Sequence, residues 1–249
     1  MQIAGAILNH KDDKKGHHDF FCDWWRKHVN MPFTFPDTSN NHFQSYCYAA
    51  AALLLYLPFF QQFFEHLWIT KQSGKLNHME SNLQKALHHD PATLSELAIL
   101  ALYSEAISYQ YVKAICSMSD SGEKLNMLDL GPLHNKVSTH IHTITNPYIL
   151  LCENPSNITA SLEGDEWQHP NIFKCIYDLK LPYLEELLVA FFTGANKTWT
   201  RFTSEFAPNG LIDGATTEER DLAWMPATND ENELEGAFGS FHKLINQQP

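Results

Sequence analysis

The sequence has few basic residues, and they are not concentrated in one region. It carries 17 lysines and arginines against 29 aspartates and glutamates in 249 residues, which gives a net charge of −12. Proteins that bind duplex nucleic acid need clustered Lys and Arg to displace counterions from the phosphates. The two short basic clusters, Lys11–Lys15 and Arg26 with Lys27, are diluted by neighbouring aspartates. We therefore do not expect nucleic acid to be a partner of the isolated chain.

The sequence also lacks paired cysteines and the short motifs of several enzyme classes. Its five cysteines are scattered and never form CxxC, a pattern typical of free thiols in a reducing compartment. Charged residues follow a short apolar run at the N-terminus, so we expect no signal peptide. Phosphate-binding glycine loops, GxSxG and HExxH do not occur. These absences predict an intracellular protein, nuclear or cytoplasmic, that is neither a P-loop nucleotide binder nor a serine hydrolase.

One stretch, Tyr46–His66, approaches the length and hydrophobicity of a membrane span. Pro58 and Gln61 interrupt it, and Glu65 places a charge near its end. A spanning helix needs about 20 predominantly apolar residues, so the pattern favours a buried core helix. We expect no membrane association.

The remaining sequence is rich in helix signals and predicts a mainly α protein. Apolar residues recur at helical spacing after a capping box at Thr93–Glu96, and Gly131–Pro132 and Thr216–Glu219 have the composition of helix starts. Gly194 is placed to end a helix that begins after Pro182. Short strands at residues 125–130 and 148–152 are left open as alternatives.

The predicted architecture is a single multi-helix domain of seven or eight helices, covering residues 45–249. Residues 1–44 carry aromatics without clean periodicity, together with Pro32 and Pro36, and we predict a loop-rich aromatic arm there.

Three carboxylates are the candidate catalytic or metal-binding residues. Two-metal phosphoryl chemistry needs about three acidic groups around two cations. Asp129 ends one of the two short strand alternatives, and Glu233 and Glu235 lie on the predicted last helix. Structural roles are favoured for two of them: Asp129 as the cap of the following helix and Glu233 as the capping-box partner of Asp230.

Other titratable clusters have mainly structural interpretations. The densest donor cluster among the 14 histidines is His17, His18, Asp19 and Cys22, but its spacing matches no zinc motif. Arg201 lies four residues before Glu205, which predicts an i,i+4 pair flanked by aromatics in the core.

Several phrases are similar to those of one known group of proteins. They are FPDTSNNHFQSYCYAAAALLLYLP, LNHMESNLQKALHHDPATLSELAILALYSEAIS, LDLGPLH, WTRFTSEF, GLIDGATTEERDLAWMPATND and NELEGAFGSF. The sequence resembles, over about residues 33–249, an uncharacterised multicopy, transposon-associated (transposase-like) family of mushroom-forming fungi. The resemblance implies a helical region followed by a helix that bears the final glutamate of an RNase H-like transposase. Glu233 and Glu235 are both open for that role, because two extra residues precede the position where the family carries arginine.

The leading functional hypothesis is a helical domain derived from a mobile-element protein, without catalytic activity of its own and without a cofactor. One alternative is a metal-dependent DDE/RNase H-like recombinase fragment that binds Mg²⁺ or Mn²⁺. The other is an acidic helical scaffold that binds protein partners. The net charge favours the scaffold over DNA binding.

Overall fold

The predicted helical class is confirmed. The computed structural model describes residues 1–10, 16–38, 44–116 and 125–227, and within these ranges it is mainly helical without a β-strand. The residues left open as strands, 125–130 and 148–152, instead contain 3₁₀ turns at Met127–Asp129 and Pro147–Ile149. At the start of each turn an asparagine side chain, that of Asn126 or Asn146, accepts a hydrogen bond from the backbone N–H two residues ahead.

The described residues contain more helices than the seven or eight predicted, because several are short. The α-helices are α1 Gln2–Leu8, α2 His18–Val29, α3 Ser45–Leu55, α4 Leu57–Thr70, α5 His78–His89, α6 Pro91–Tyr103, α7 Tyr109–Cys116, α8 Gly131–Ile144, α9 Asn157–Ala160, α10 Asn171–Leu179, α11 Leu184–Phe202 and α12 Thr217–Leu222. A π-helical turn, Ser104–Ser108, joins α6 to α7, and a further 3₁₀ turn, Ser204–Phe206, follows α11.

The predicted single domain is replaced by two compact units. The first unit comprises Met1–Ser104 and Lys174–Leu184, and the second comprises Glu105–Phe173 and residues 185–227, counting only residues that the structure describes. No Gly/Ser-rich linker marks the division, because the chain crosses it inside helical segments. Composition alone therefore gave no boundary.

The N-terminal residues belong to the core of the first unit and do not form a loop-rich arm. Residues 2–8 and 18–29 are helical, and Phe21, Trp24 and Trp25 of α2 are almost completely buried. The Trp25 ring lies 5.2 Å from that of Phe60 in α4 and 4.5 Å from that of Phe33, measured between centroids. Aromatic burial therefore anchors this segment, and the high density of aromatics concealed its helical spacing.

The apolar stretch forms two helices of the first unit: α3, which is almost entirely buried, and α4, which is buried along one face. α3 packs on α6, and its alanines 49–52 are fully buried. The chain bends by 83° between α3 and α4, where Pro58 stands in the first turn of α4. Among the described helices none is by itself long and apolar enough to cross a membrane. Of these helices, only α3 and α4 taken together, as a bent pair, have the required length and composition.

Some helix ends differ from the sequence prediction. α6 begins at Pro91 and not after Thr93, because Asp90 accepts hydrogen bonds from the Ala92 N–H and the Thr93 hydroxyl. α11 continues through Gly194 to Phe202. An interior glycine costs about 1 kcal/mol, which the burial of Leu188 and Phe192 on the same helix offsets.

Candidate functional site

Asp129, the sequence candidate within the described residues, forms an ion pair with Arg220. Its Oδ1 accepts a hydrogen bond from Arg220 Nε at 2.9 Å, and its side chain is about half exposed. Arg220 also donates from Nη1 to the Ala215 carbonyl at 2.7 Å. The predicted capping role of Asp129 is wrong, because Leu130 precedes α8 and no side chain caps that helix. Glu233, Glu235 and the predicted cap Asp230 lie outside the described residues.

The Asp129–Arg220 pair belongs to a junction between two distant segments of the second unit. Met127 N–H donates to the Met225 carbonyl at 2.8 Å, and Ala227 N–H donates to the Leu125 carbonyl at 3.0 Å. Asn126 adds a side-chain bond to the Arg220 carbonyl at 3.1 Å. The phrases LDLGPLH and GLIDGATTEERDLAWMPATND, far apart in sequence, therefore meet in the fold.

The chain between α11 and α12 is held by local hydrogen bonds. Thr216 and Glu219 form the predicted capping box at the start of α12, and the Asn209 N–H donates to Asp213 Oδ2 at 3.0 Å. Gly210 approaches the Glu205 backbone so closely that an added Cβ would lie 2.3 Å from the Glu205 carbonyl oxygen. This segment is ordered by its own turns and by the junction with residues 125–130.

The same region presents apolar side chains to solvent, and we call it the 202–225 surface. Phe202, Leu211 and Leu222 are 72%, 85% and 89% exposed. Trp224 and Met225 are also exposed. Five exposed large apolar side chains within one short segment favour an interaction site over a scatter of single exposed residues. The 202–225 surface is therefore the candidate functional site.

The 202–225 surface is acidic as well as apolar. Residues 202–227 contain five carboxylates and one arginine, and the arginine is already paired with Asp129. The side chains of Glu205, Glu218 and Asp221 are exposed and make no ion pair within the described part of the chain. Apolar groups on a negatively charged background define the chemistry of this site.

Arg220→Ala should lower the free energy of unfolding by about 1 kcal/mol. The pair with Asp129 is half exposed and contributes little by Coulomb attraction alone, and the hydrogen bond to Ala215 adds a similar amount. A double-mutant cycle with Asp129→Asn, measured by chemical denaturation, should give a coupling of about 0.5 kcal/mol. A coupling energy of zero would show that the two side chains do not stabilise each other.

His134 lies in an aromatic enclosure beside this region. Its ring contacts those of Phe206 and Trp199 at centroid distances of 4.5 and 5.7 Å. Its Nε2 lies 3.3 Å from the Tyr111 hydroxyl, whereas its buried Nδ1 has no hydrogen-bond partner in the described structure. Burial lowers the pKa of His134 below its ordinary value of 6.5. The imidazole is therefore neutral and closed to solvent, and it supports the fold of the segment.

Stability should fall as the pH decreases below about 6.5. The unfolded chain takes up a proton on His134 there, while the folded chain, whose pKa is lower, does not; this costs up to about 1.4 kcal/mol per pH unit. Burial also lowers the pKa of His140, so two imidazoles act in the same direction. His134→Phe should reduce the slope of unfolding free energy against pH between about 6.5 and 5. Tyr111→Phe, which keeps the imidazole, should retain the parent slope, and equal slopes in His134→Phe and the parent would refute the assignment.

A second buried histidine pairs with a carboxylate in the π-helical turn. His169 Nδ1 lies 2.6 Å from Glu105 Oε1, and the backbone N–H of His169 donates to Glu105 Oε2 at 3.0 Å. Both side chains are at most 1% exposed. π-turns often mark functional positions, but no substrate could reach this pair without opening of the unit. Nothing local in the sequence joins residues 64 positions apart.

In the first unit, Glu80 is the centre of a buried network. It is 1% exposed and accepts hydrogen bonds from Lys71 Nζ and from the Asn77 backbone at 2.5 and 2.8 Å. His17 Nε2 lies 2.7 Å from its Oε1. Asn77 and Glu80 also form a capping box for α5, a signal present in the sequence as Asn-x-x-Glu. All partners of Glu80 are internal, and its role is structural.

The other predicted clusters do not assemble. His17 turns to Glu80, whereas His18 Nδ1 lies 3.7 Å from Cys22 Sγ. Over the described ranges no group of three or more His, Cys, Asp or Glu side chains could hold a metal ion. The Arg201 guanidinium carbon lies 4.8 Å from the centroid of the exposed Phe202 ring. The predicted i,i+4 pair with Glu205 does not form, because α11 ends at Phe202.

The structure defines a mainly helical protein with two compact units and an apolar, acidic surface on the second. Comparisons with protein-family models, with curated proteins and with solved structures found no match to this chain.

Proposed function

We propose that this chain is a helical protein-interaction domain, related to a mobile-element (transposase-like) protein and without catalytic activity of its own. The 202–225 surface is where it binds a protein partner. The observation that carries the proposal is the exposure of Leu211, Leu222 and Trp224 on one segment that is fixed by hydrogen bonds at both ends.

The rigidity of the segment supports this role. An apolar side chain on a disordered tail loses entropy when it binds, whereas one on an ordered scaffold has already lost most of it. The Thr216 capping box, the Asn209–Asp213 turn and the junction with residues 125–130 all hold the backbone in place. Trp is among the residues most enriched at the energetically important positions of protein interfaces.

The relation to a mobile-element protein is supported by the sequence phrases given above. Two of these phrases contribute directly to the proposed surface: LDLGPLH supplies Asp129, and GLIDGATTEERDLAWMPATND supplies Arg220 together with the apolar residues 211–225.

The proposal is tested by selecting binders from a library of random peptides, about 16 residues long, against the immobilised full chain. We expect clones whose binding is lost on Leu211→Ser/Leu222→Ser. Tyr148→Ser/Ile158→Ser is the matched control, since these residues of the same unit are 79% and 77% exposed. If no selected clone distinguishes the two double variants, the proposed function is wrong.

A recombinase activity would give a different result with divalent metals. A ligand that binds the folded state raises the melting temperature by mass action. We expect no rise with Mg²⁺ or Mn²⁺ at millimolar concentration, because the Asp129 carboxylate is paired with Arg220. A rise of several degrees that is lost on Asp129→Asn, Glu233→Gln or Glu235→Gln, measured by calorimetry, would favour the recombinase.

A further inference from the structure

We infer that the partner segment of the 202–225 surface is a basic amphipathic peptide, with apolar side chains flanked by Lys or Arg. The inference rests on the proposed function and adds the chemistry of the partner. Two independent properties of the surface, its exposed apolar groups and its unpaired carboxylates, carry it.

The apolar part of the partner follows from Leu211, Leu222 and Trp224. The two leucines are 85% and 89% exposed, and Trp224 is half exposed. Their burial by a partner would remove apolar surface from water, which is the main source of affinity at such an interface. The complementary side chains must therefore be apolar.

The charge of the partner follows from Glu205, Glu218 and Asp221. All three residues are exposed, and their carboxylates make no ion pair or hydrogen bond within the described residues. Residues 202–227 include one cation, Arg220, and its guanidinium is held by Asp129 and the Ala215 carbonyl. The surface therefore offers negative charge that the chain itself does not neutralise, and a basic partner would approach faster and bind in a preferred orientation.

The same charges argue against two other occupants. A second copy of this chain would bring an identical acidic surface to the first, on a protein whose net charge is −12, and like charges across an interface are costly. An anionic lipid or nucleic-acid backbone would be repelled for the same reason. A basic peptide meets both requirements of the surface.

The test uses two synthetic helical peptides of about 16 residues with the same leucine pattern, one with lysines and one with glutamates on its polar face. Binding to the full chain is followed by fluorescence anisotropy of labelled peptide at about 50 and about 500 mM NaCl. We expect the lysine peptide to bind with a Kd of about 10 μM at low salt and the glutamate peptide to bind at least about tenfold more weakly.

Variants separate the two contributions. Leu211→Ser/Leu222→Ser should weaken lysine-peptide binding about tenfold at both salt concentrations, and Tyr148→Ser/Ile158→Ser should leave it unchanged. Glu205→Gln/Glu218→Gln/Asp221→Asn should weaken it about fivefold at low salt and remove most of its salt dependence. Glu185→Gln/Glu186→Gln, which neutralises two exposed carboxylates of α11, is the control for a loss of negative charge outside the surface.

The possible failures are distinguishable. If both peptides bind equally and both lose binding on Leu211→Ser/Leu222→Ser, the basic chemistry is wrong although the interaction surface stands. If binding of the lysine peptide is the same in the surface and control variants, it reflects the overall negative charge, and the inference is overturned. If sedimentation velocity shows self-association that Leu211→Ser/Leu222→Ser abolishes, the occupant is a second copy and the inference is likewise overturned.

Discussion

Trp25→Ala should destabilise the first unit by about 3–5 kcal/mol, the largest effect expected from a single substitution in this chain. Trp25 is completely buried although it lies in the N-terminal region. Its ring packs against those of Phe21, Phe33 and Phe60 at centroid distances of 5.3, 4.5 and 5.2 Å. Truncation to alanine would leave a cavity that α2 and α4 cannot close without moving, so the lost burial and the cavity add.

Two variants calibrate this measurement. Trp25→Phe keeps an aromatic ring and removes an indole N–H that is buried without a hydrogen-bond partner in the described structure, so it should cost about 1–2 kcal/mol. Trp68→Ala removes a tryptophan that is 53% exposed and should cost less than about 1 kcal/mol. Unfolding in guanidinium chloride, followed by circular dichroism, gives all three values. Equal effects of Trp25→Ala and Trp68→Ala would restore the interpretation of residues 1–44 as a peripheral arm.

Local sequence patterns were sufficient to predict the structure where residues close together in sequence determine the conformation. The capping box at Thr216 and Glu219 and the helix start at Gly131–Pro132 were predictable, because each depends on residues a few positions apart. The burial of α3 and of one face of α4 also followed from composition, since this stretch is poor in charge and rich in alanine and phenylalanine.

Long-range pairing was not predictable in the same way. Asp129 looked like a helix cap or a metal ligand because the sequence shows only its neighbours, whereas its carboxylate pairs with Arg220, 91 positions away. The pairing of His17 with Glu80 spans 63 positions. Such contacts depend on how helices pack, and a single sequence carries no direct signal of that packing.

The candidate surface illustrates both cases. The sequence shows that residues 201–249 are acidic, and it also contains Leu211, Leu222 and Trp224, which would normally be assigned to a core. All three side chains are nevertheless exposed, although hydrogen bonds join the end of their segment to residues 125–127. Only the three-dimensional arrangement converts an ordinary apolar segment into a candidate interface.

Glu80→Gln should lower the free energy of unfolding by about 2–4 kcal/mol at neutral pH. Removing one partner of a buried ion pair is costly because the other charge remains. Lys71 and His17 are each 23% exposed, so water reduces the penalty below that of a fully buried pair. Lys71→Met in the Glu80→Gln background should restore part of the loss, since it removes the charge that was left unpaired.

The pH dependence identifies the carboxylate as the source of this stability. Burial raises the pKa of Glu80, but hydrogen bonds from Lys71, His17 and Asn77 lower it more, so that it lies below its ordinary value of 4.5. The ionised form is therefore favoured in the folded state, and its contribution is complete above about pH 4.5 and lost as the pH falls through the folded pKa. The parent should lose stability over this acid range more steeply than Glu80→Gln, and the two curves of unfolding free energy against pH should converge.

Glu163→Gln, which breaks an exposed pair with Lys136, should change stability by less than about 0.5 kcal/mol at neutral pH. If Glu80→Gln resembled this control, the network around Glu80 would be a surface contact and not a determinant of the first unit.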